Sequence, residues 1–163
     1  MKIFKKNLLI NFTIIFSIFF LDQITKIYVI NLFNEKNDMI ILSKFLNIDL
    51  IWNQGIAFGL LSFDQNFYYN LISFLIILVL IGILIVLYRN NDLTSYFYCM
   101  IFGGACGNLI DRIRYQAVPD FIDFHIGEFH WFIFNVADIF ISFGVFFMIL
   151  IELIDNNKSN EKV

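Results

Sequence analysis

Apolar residues gather into four long runs, at about 8–29, 67–88, 93–110 and 132–154, with polar stretches between them. A helix that crosses a bilayer needs roughly 20 mostly apolar residues, so each run predicts one membrane span. The third is the most interrupted, carrying Gly103, Gly104 and Gly107. Long loops at about 31–66 and 111–131 and a short one at 89–92 connect the spans. Residues 1–155 thus read as a single membrane-embedded domain, and the charged tail at 156–163 is expected to be disordered. The first run carries on through Asp22 and Lys26 without a small-x-small cleavage site, which predicts a retained span.

Inside the loops the pattern changes to alternation. Ile48, Leu50 and Trp52 share one face of an extended segment, opposite Asn47, Asp49, Ile51 and Asn53; in 121–127, Ile122, Phe124 and Ile126 oppose Asp123 and His125. A period of two predicts strands. Two such strands in the outer loops predict a small β-sheet that rests its apolar face on the membrane.

Composition strengthens the membrane reading. Of 163 residues, 60% are hydrophobic and 15% charged, and 22 are Phe, far above the apolar share of a soluble domain. The net charge of −3 and the lack of a long basic run argue against nucleic acid as a partner. Lys2, Lys5, Lys6, Arg89, Lys158 and Lys162 lie on the side shared by the termini, which predicts that both ends are cytoplasmic and both long loops extracytoplasmic. Lys36, Lys44, Arg112 and Arg114 oppose that bias. Cys99 and Cys106 would be about 10 Å apart along a helix, too far for a disulfide, and read as packing residues.

Charged groups in or beside the spans carry the chemical information, because burying one without a partner costs several kcal/mol. Asp22 and Lys26 are spaced i, i+4 and can pair, either as a local ion pair and anchor or as part of a site. Asp138 falls about six residues into the fourth run, roughly 9 Å below its start, where it needs a partner; Asn135 lies one turn earlier. Asp120 follows Pro119 in the loop leading to that run. Two carboxylates held near one membrane face can share a proton, one acting as acid and the other as base toward water, as aspartic proteolysis requires. Asp123 is a rival for the loop carboxylate, but it shares the odd-numbered face with His125. Gly103 and Gly107 form a small-xxx-small pair suited to close helix contact. Asn108 and Arg112, one turn apart, offer an amide and a guanidinium to an extended peptide, while Asp111 and Arg112 read alternatively as an interfacial ion pair. The segment Asn53-Gln54-Gly55-Ile56-Ala57-Phe58-Gly59 predicts a tight turn at the membrane surface.

These stretches, in this order and spacing over nearly the whole chain, resemble the bacterial lipoprotein signal peptidase (signal peptidase II) family: Asp22 to Lys26, Asn53 to Gly59, Gly107 to Arg112, Asp120 to Asp123 and Asn135 to Asp138. The resemblance implies a four-helix membrane enzyme with a small outer sheet that cleaves prolipoproteins before a diacylglyceryl-modified cysteine. It implies Asp120 and Asp138 as the catalytic pair, with Asn53, Asn108, Arg112 and Asn135 as substrate-binding or supporting groups and Asp22, with Lys26, as the first-span polar element. It further implies the bacterial inner membrane as location, membrane-anchored prolipoproteins and membrane lipids as partners, a monomer, and no cofactor. Pro119 departs from the pattern, which leads one to expect a non-proline apolar residue there.

Other chemistries fit less well. His125 and His130, taken as five apart on one strand, would face opposite ways, so no metal site is expected. Ser142 has no histidine at its depth to complete a triad. A transporter using Asp22, Asp120 and Asp138 as a proton relay would be expected to show repeated halves, and the chain has no visible repeat. Amidation of the carboxylates separates the readings: it would abolish proteolysis under one and alter ion flux under the other.

Overall fold

The computed structural model describes residues 2–35, 38–55, 65–90 and 92–160. Four helices, α1 (Lys2–Glu35), α2 (Gln65–Arg89), α3 (Leu93–Tyr115) and α4 (Val136–Asn160), alternate with a four-stranded antiparallel sheet of β1 (Ile40–Ile41), β2 (Leu46–Asn53), β3 (Val118–Ile126) and β4 (Phe129–Phe134) in the order β1-β2-β3-β4. All four helices are long and apolar enough to cross a membrane. Phe12, Phe16 and Phe20 on α1, and Phe143 and Phe146 on α4, stand exposed, as lipid-facing side chains do. The protein is thus an α-helical membrane protein with a small sheet built from its loops.

Helix α3 is the hub, packing against α1, α2 and α4. It starts on a capping box in which Asp92 accepts from the Ser95 N–H and Ser95 Oγ accepts from the Asp92 N–H. It runs to Tyr115, five residues beyond the predicted span, and is capped by Gln116 in the left-handed region (φ 55°). The glycines that interrupt its hydropathy are where it touches its neighbours. A Cβ on Gly103 would lie 2.9 Å from the Ile15 carbonyl oxygen, and one on Gly104 would lie 2.7 Å from that of Ala137. Only hydrogen at these positions lets α1 and α4 approach so closely. Cys99 and Cys106 are free thiols on this helix.

The fourth predicted run is two elements rather than one. Residues 132–134 belong to β4, and α4 begins at Val136. An apolar strand that runs directly into an apolar helix has no boundary that hydropathy can register. Asp138 is therefore not deep in a span but in the first turn of α4. At the other end the helical backbone reaches Asn160, through most of the stretch expected to be a disordered tail, while 161–163 lie outside the described residues.

Two bulges shape the sheet. Between Ile48 and Ile51, β2 carries one residue more than β3, so that Ile51 rather than Leu50 pairs with Asp120. Between Phe124 and His125 the extra residue is on β4, Trp131, so that His125 pairs with His130. Each extra residue turns the side chains beyond it to the other face. Pro119 is fully buried and pairs with Trp52, on a stretch of β3 that precedes the β3–β4 ladder, which begins at Ile122. The sheet is seated on the C-terminal end of α1, where Val29, Phe33 and Phe121 form a buried cluster with Ile48, Leu50, Ile122 and Val136 around it.

Candidate active site

The polar residues predicted along the chain converge where β3, the start of α4 and the facing sides of α1 and α3 meet. Asn135 is completely buried and caps α4: its Oδ1 accepts from the Asp138 N–H at 3.1 Å, and its own N–H donates to Asp138 Oδ2 at 3.1 Å. This reciprocal pair is a capping box made from Asn and Asp. The remaining capacity of Asn135 goes to the other carboxylate, its Nδ2 donating to Asp120 Oδ1 at 2.6 Å. One asparagine thus holds both aspartates.

Asp120 is 3% exposed. Its second oxygen accepts from Asn53 Nδ2 at 2.8 Å, while Asn53 Oδ1 accepts from the Gly55 N–H at 2.7 Å, in a turn where Gly55 takes φ 79°. The β2 bulge is what brings Asn53 onto the face of Asp120, because uninterrupted alternation would have put Trp52 there. Burial is the main cause that raises the Asp120 carboxyl to about 6; the negative charge of Asp138 adds to the rise, and the Asn53 and Asn135 amides and the charge of Lys26 oppose it.

Asp138 is half-buried and takes a further hydrogen bond from Asn108 Nδ2 at 2.9 Å. Asn108 Oδ1 in turn accepts from Lys26 Nζ at 2.8 Å. Lys26 is 1% exposed and bridges two buried acids, Asp22 at 2.8 Å and Asp111 at 2.6 Å. The other oxygen of Asp22 accepts from the Ala137 N–H at 2.9 Å, so a side chain from the first helix satisfies a free donor at the N-terminus of the fourth. A Cβ on Gly107 would collide with the Asp22 carboxylate, so that glycine is the gap into which Asp22 fits. The local pair predicted for Asp22 and Lys26 is present, as one link in a network that runs from α1 through α3 to Asp138.

Gln23 belongs to this network although sequence patterns did not mark it, and so does Asp111, which they marked only as an alternative partner of Arg112. Gln23 Nε2 donates to Asp111 Oδ1 at 3.1 Å and to Asp22 Oδ2 at 3.2 Å. The signal for Asp111 was its helical register with Gly107 and Asn108, hidden when the third span is ended at 110. The alternative ion pair of Asp111 with Arg112 does not form: Asp111 turns to Lys26, whereas the Arg112 guanidinium lies 5.4 Å from the Tyr69 ring centroid and beneath Gly55. Asn108 and Arg112 therefore serve different surroundings. Residues 56–59 of the predicted surface turn lie outside the described residues.

Asp123 sits apart from this constellation. Its partners are Asn47, His125 and His130. The opposite-face expectation for the two histidines is overturned: a turn at Gly127 (φ 61°) separates them, and the Trp131 bulge brings them together across the hairpin, with ring centroids 5.1 Å apart. Beside Asp138, the β3–β4 hairpin and α4 enclose an apolar groove of about 400 Å³, walled by Phe124, Trp131, Phe132 and Phe143.

A family model described as signal peptidase (SPase) II matches residues 14–154. The chain is 51% identical over 163 residues to the lipoprotein signal peptidase of Pelagibacter ubique (strain HTCC1062), covering 99% of this chain and 98% of that protein. It is 39% identical over 142 residues to the lipoprotein signal peptidase of Anaplasma phagocytophilum (strain HZ), covering 86% and 89%. A solved bacterial membrane enzyme, determined by the in meso method at 1.9 Å resolution, superposes with a TM-score of 0.72 at 32% identity over 88% of this chain and 91% of that one. With the family model covering most of the chain and a relative 51% identical matching it over nearly its whole length, the chain belongs to the signal peptidase II family.

Proposed function

We propose that this member of the signal peptidase II family removes the signal peptide of prolipoproteins by cutting before the diacylglyceryl-modified cysteine, with Asp120 and Asp138 as the catalytic pair. The observation that carries the assignment is the hold of Asn135 on both carboxylates from a fully buried position. Membership of the family makes the reaction peptide hydrolysis in a membrane; the roles of the particular residues are proposed from the geometry.

In the proposed mechanism Asp138 is the base, because the Asn135 N–H and the Asn108 amide both donate to it and the positive end of the α4 dipole favours an anion there. Asp120, whose carboxyl burial holds near 6, carries the shared proton. A water between them gives a proton to Asp138 as its oxygen bonds to the scissile carbonyl carbon, and the Asp120 proton stabilises the carbonyl oxygen as it becomes negative. Collapse of the tetrahedral intermediate breaks the C–N bond, and the proton on Asp138 passes to the departing cysteine nitrogen. Asn53 and Asn135 orient Asp120, Asn108 orients Asp138, and Arg112 is assigned to a backbone carbonyl of the bound peptide. Asp22 and Lys26 act from behind, fixing Asn108 and the start of α4. The apolar groove beside Asp138 is the proposed seat of a substrate acyl chain. The enzyme is read as a monomer with both termini cytoplasmic and this site toward the extracytoplasmic face.

The test is cleavage of a diacylglyceryl-modified prolipoprotein peptide in detergent by the wild type and by folded Asp120→Asn and Asp138→Asn variants. Each variant is expected to lose turnover by roughly 10²–10⁴-fold, the range for a positioned acid or base. Near-normal turnover in either would refute the pair and turn attention to Asp123.

A further inference from the structure

The β3–β4 hairpin carries a polar cluster that the proposed peptide chemistry does not use. Asp123 is 1% exposed and has no lysine or arginine partner among the described residues. Nδ1 of His130 lies 2.9 Å from each of its oxygens, and Nδ1 of His125 lies 3.6 Å from Oδ2. One ligand atom from each of the three side chains falls within 4.8 Å of the others. His125 Nδ1 is buried with no hydrogen-bond partner among the described residues, whereas the His130 side chain is half exposed and leaves the cluster open on one side.

These separations suit a small tetrahedral ion. Metal bonds of about 2.0–2.1 Å to nitrogen and oxygen place neighbouring ligand atoms about 3.3 Å apart, between the two spacings observed. Two imidazoles and one carboxylate favour a transition ion of the zinc type over calcium or magnesium, which take mostly oxygen ligands. A dication would offset the cost of burying the Asp123 carboxylate. Asn47 Nδ2, 3.4 Å from Asp123 Oδ2, supplies the outer contact that orients a metal-binding carboxylate.

We propose that Asp123, His125 and His130 bind a divalent transition ion of the zinc class that staples β3 to β4. The hairpin between Asp120 and Asp138 is the covalent link between the two carboxylates, so such a staple holds the frame that sets their separation. The ion is structural, on the face of β3 opposite Asp120.

The experiment uses tag-free full-length protein in detergent, stripped with a chelator and titrated with Zn²⁺ against a chromophoric competitor while thermal unfolding is followed. Wild type is expected to bind one equivalent and to unfold at a higher temperature with zinc than without. His125→Gln and His130→Gln are each expected to bind at least about tenfold more weakly and to lose the zinc-dependent rise. Their metal-free midpoints, compared with that of metal-free wild type, show that the fold is kept, and the half-exposed His130 makes its variant the safer of the two. A wild type that binds no zinc, or histidine variants that bind as well as wild type, would overturn the proposal. Peptidase activity is not the readout, so failure here leaves the Asp120 and Asp138 reading untouched.

Discussion

Asp120 and Asp138 are chemically identical side chains in unlike surroundings, and the difference suits a division of labour. Asp120 is buried on a strand between two asparagines, whereas Asp138 stands half-buried in the first turn of a helix. In the proposed mechanism Asp120 must hold the shared proton, so cleavage is expected to fall as pH rises past its ionisation. Burial raises the Asp120 carboxyl to about 6, so the fall is expected above about that pH. A rate that stays flat from pH 6 to 9 in a pH–kcat/KM profile would show that no such proton is needed. Lys26 tests the network behind the pair. Lys26→Met leaves Asp22 and Asp111 buried without their cation and is expected to destabilise the protein by on the order of 3–5 kcal/mol, read as a lower unfolding midpoint in detergent.

Between elements, the decisive contacts are made by atoms that are missing. Gly104 lets α3 touch the backbone of α4 at Ala137, one turn from Asn108 on α3 and one residue from Asp138 on α4. Gly104→Ala therefore pushes the helices apart at the level of the Asn108 to Asp138 hydrogen bond. Overpacking of this kind costs about 1–3 kcal/mol. Turnover is expected to fall by more than stability alone accounts for, and equal kcat in wild type and variant would show that the helix spacing does not position Asp138. The two bulges act on the sheet in the same way, one turning Asn53 toward Asp120 and the other turning His130 toward Asp123.

For the molecule as a whole, the sheet, Asp120, Asp138 and the N-terminus of α4 lie at one end of the helices, with Asn90 in the connection at the other. In the proposed reading the substrate is itself held in the bilayer, so diffusion in the membrane plane would bring it to the groove at that end. The proposed orientation predicts that a membrane-impermeant maleimide labels Glu128→Cys in the exposed β3–β4 turn from outside intact spheroplasts. It predicts that Asn90→Cys is labelled only after the membrane is opened. The reverse pattern would place the site on the cytoplasmic side.

The sequence by itself determined the membrane class, the four helices, two of the four strands and the polar residues that gather at the site. It did so because hydropathy, period and unpaired charge are properties of local runs. Asp22 with Lys26 was legible as a pair because i, i+4 contact follows from helical geometry alone. Tertiary structure alone decided where β4 ends and α4 begins, since both are apolar and a length of apolar chain does not say whether it pairs sideways or coils. It also decided which face Asn53 and His130 present, because a bulge is a relation between two strands and leaves no mark in either. The same holds for the partners of Asp111: a charge on a helix face is visible in the chain, but the lysine that meets it from another helix is set only when the helices pack.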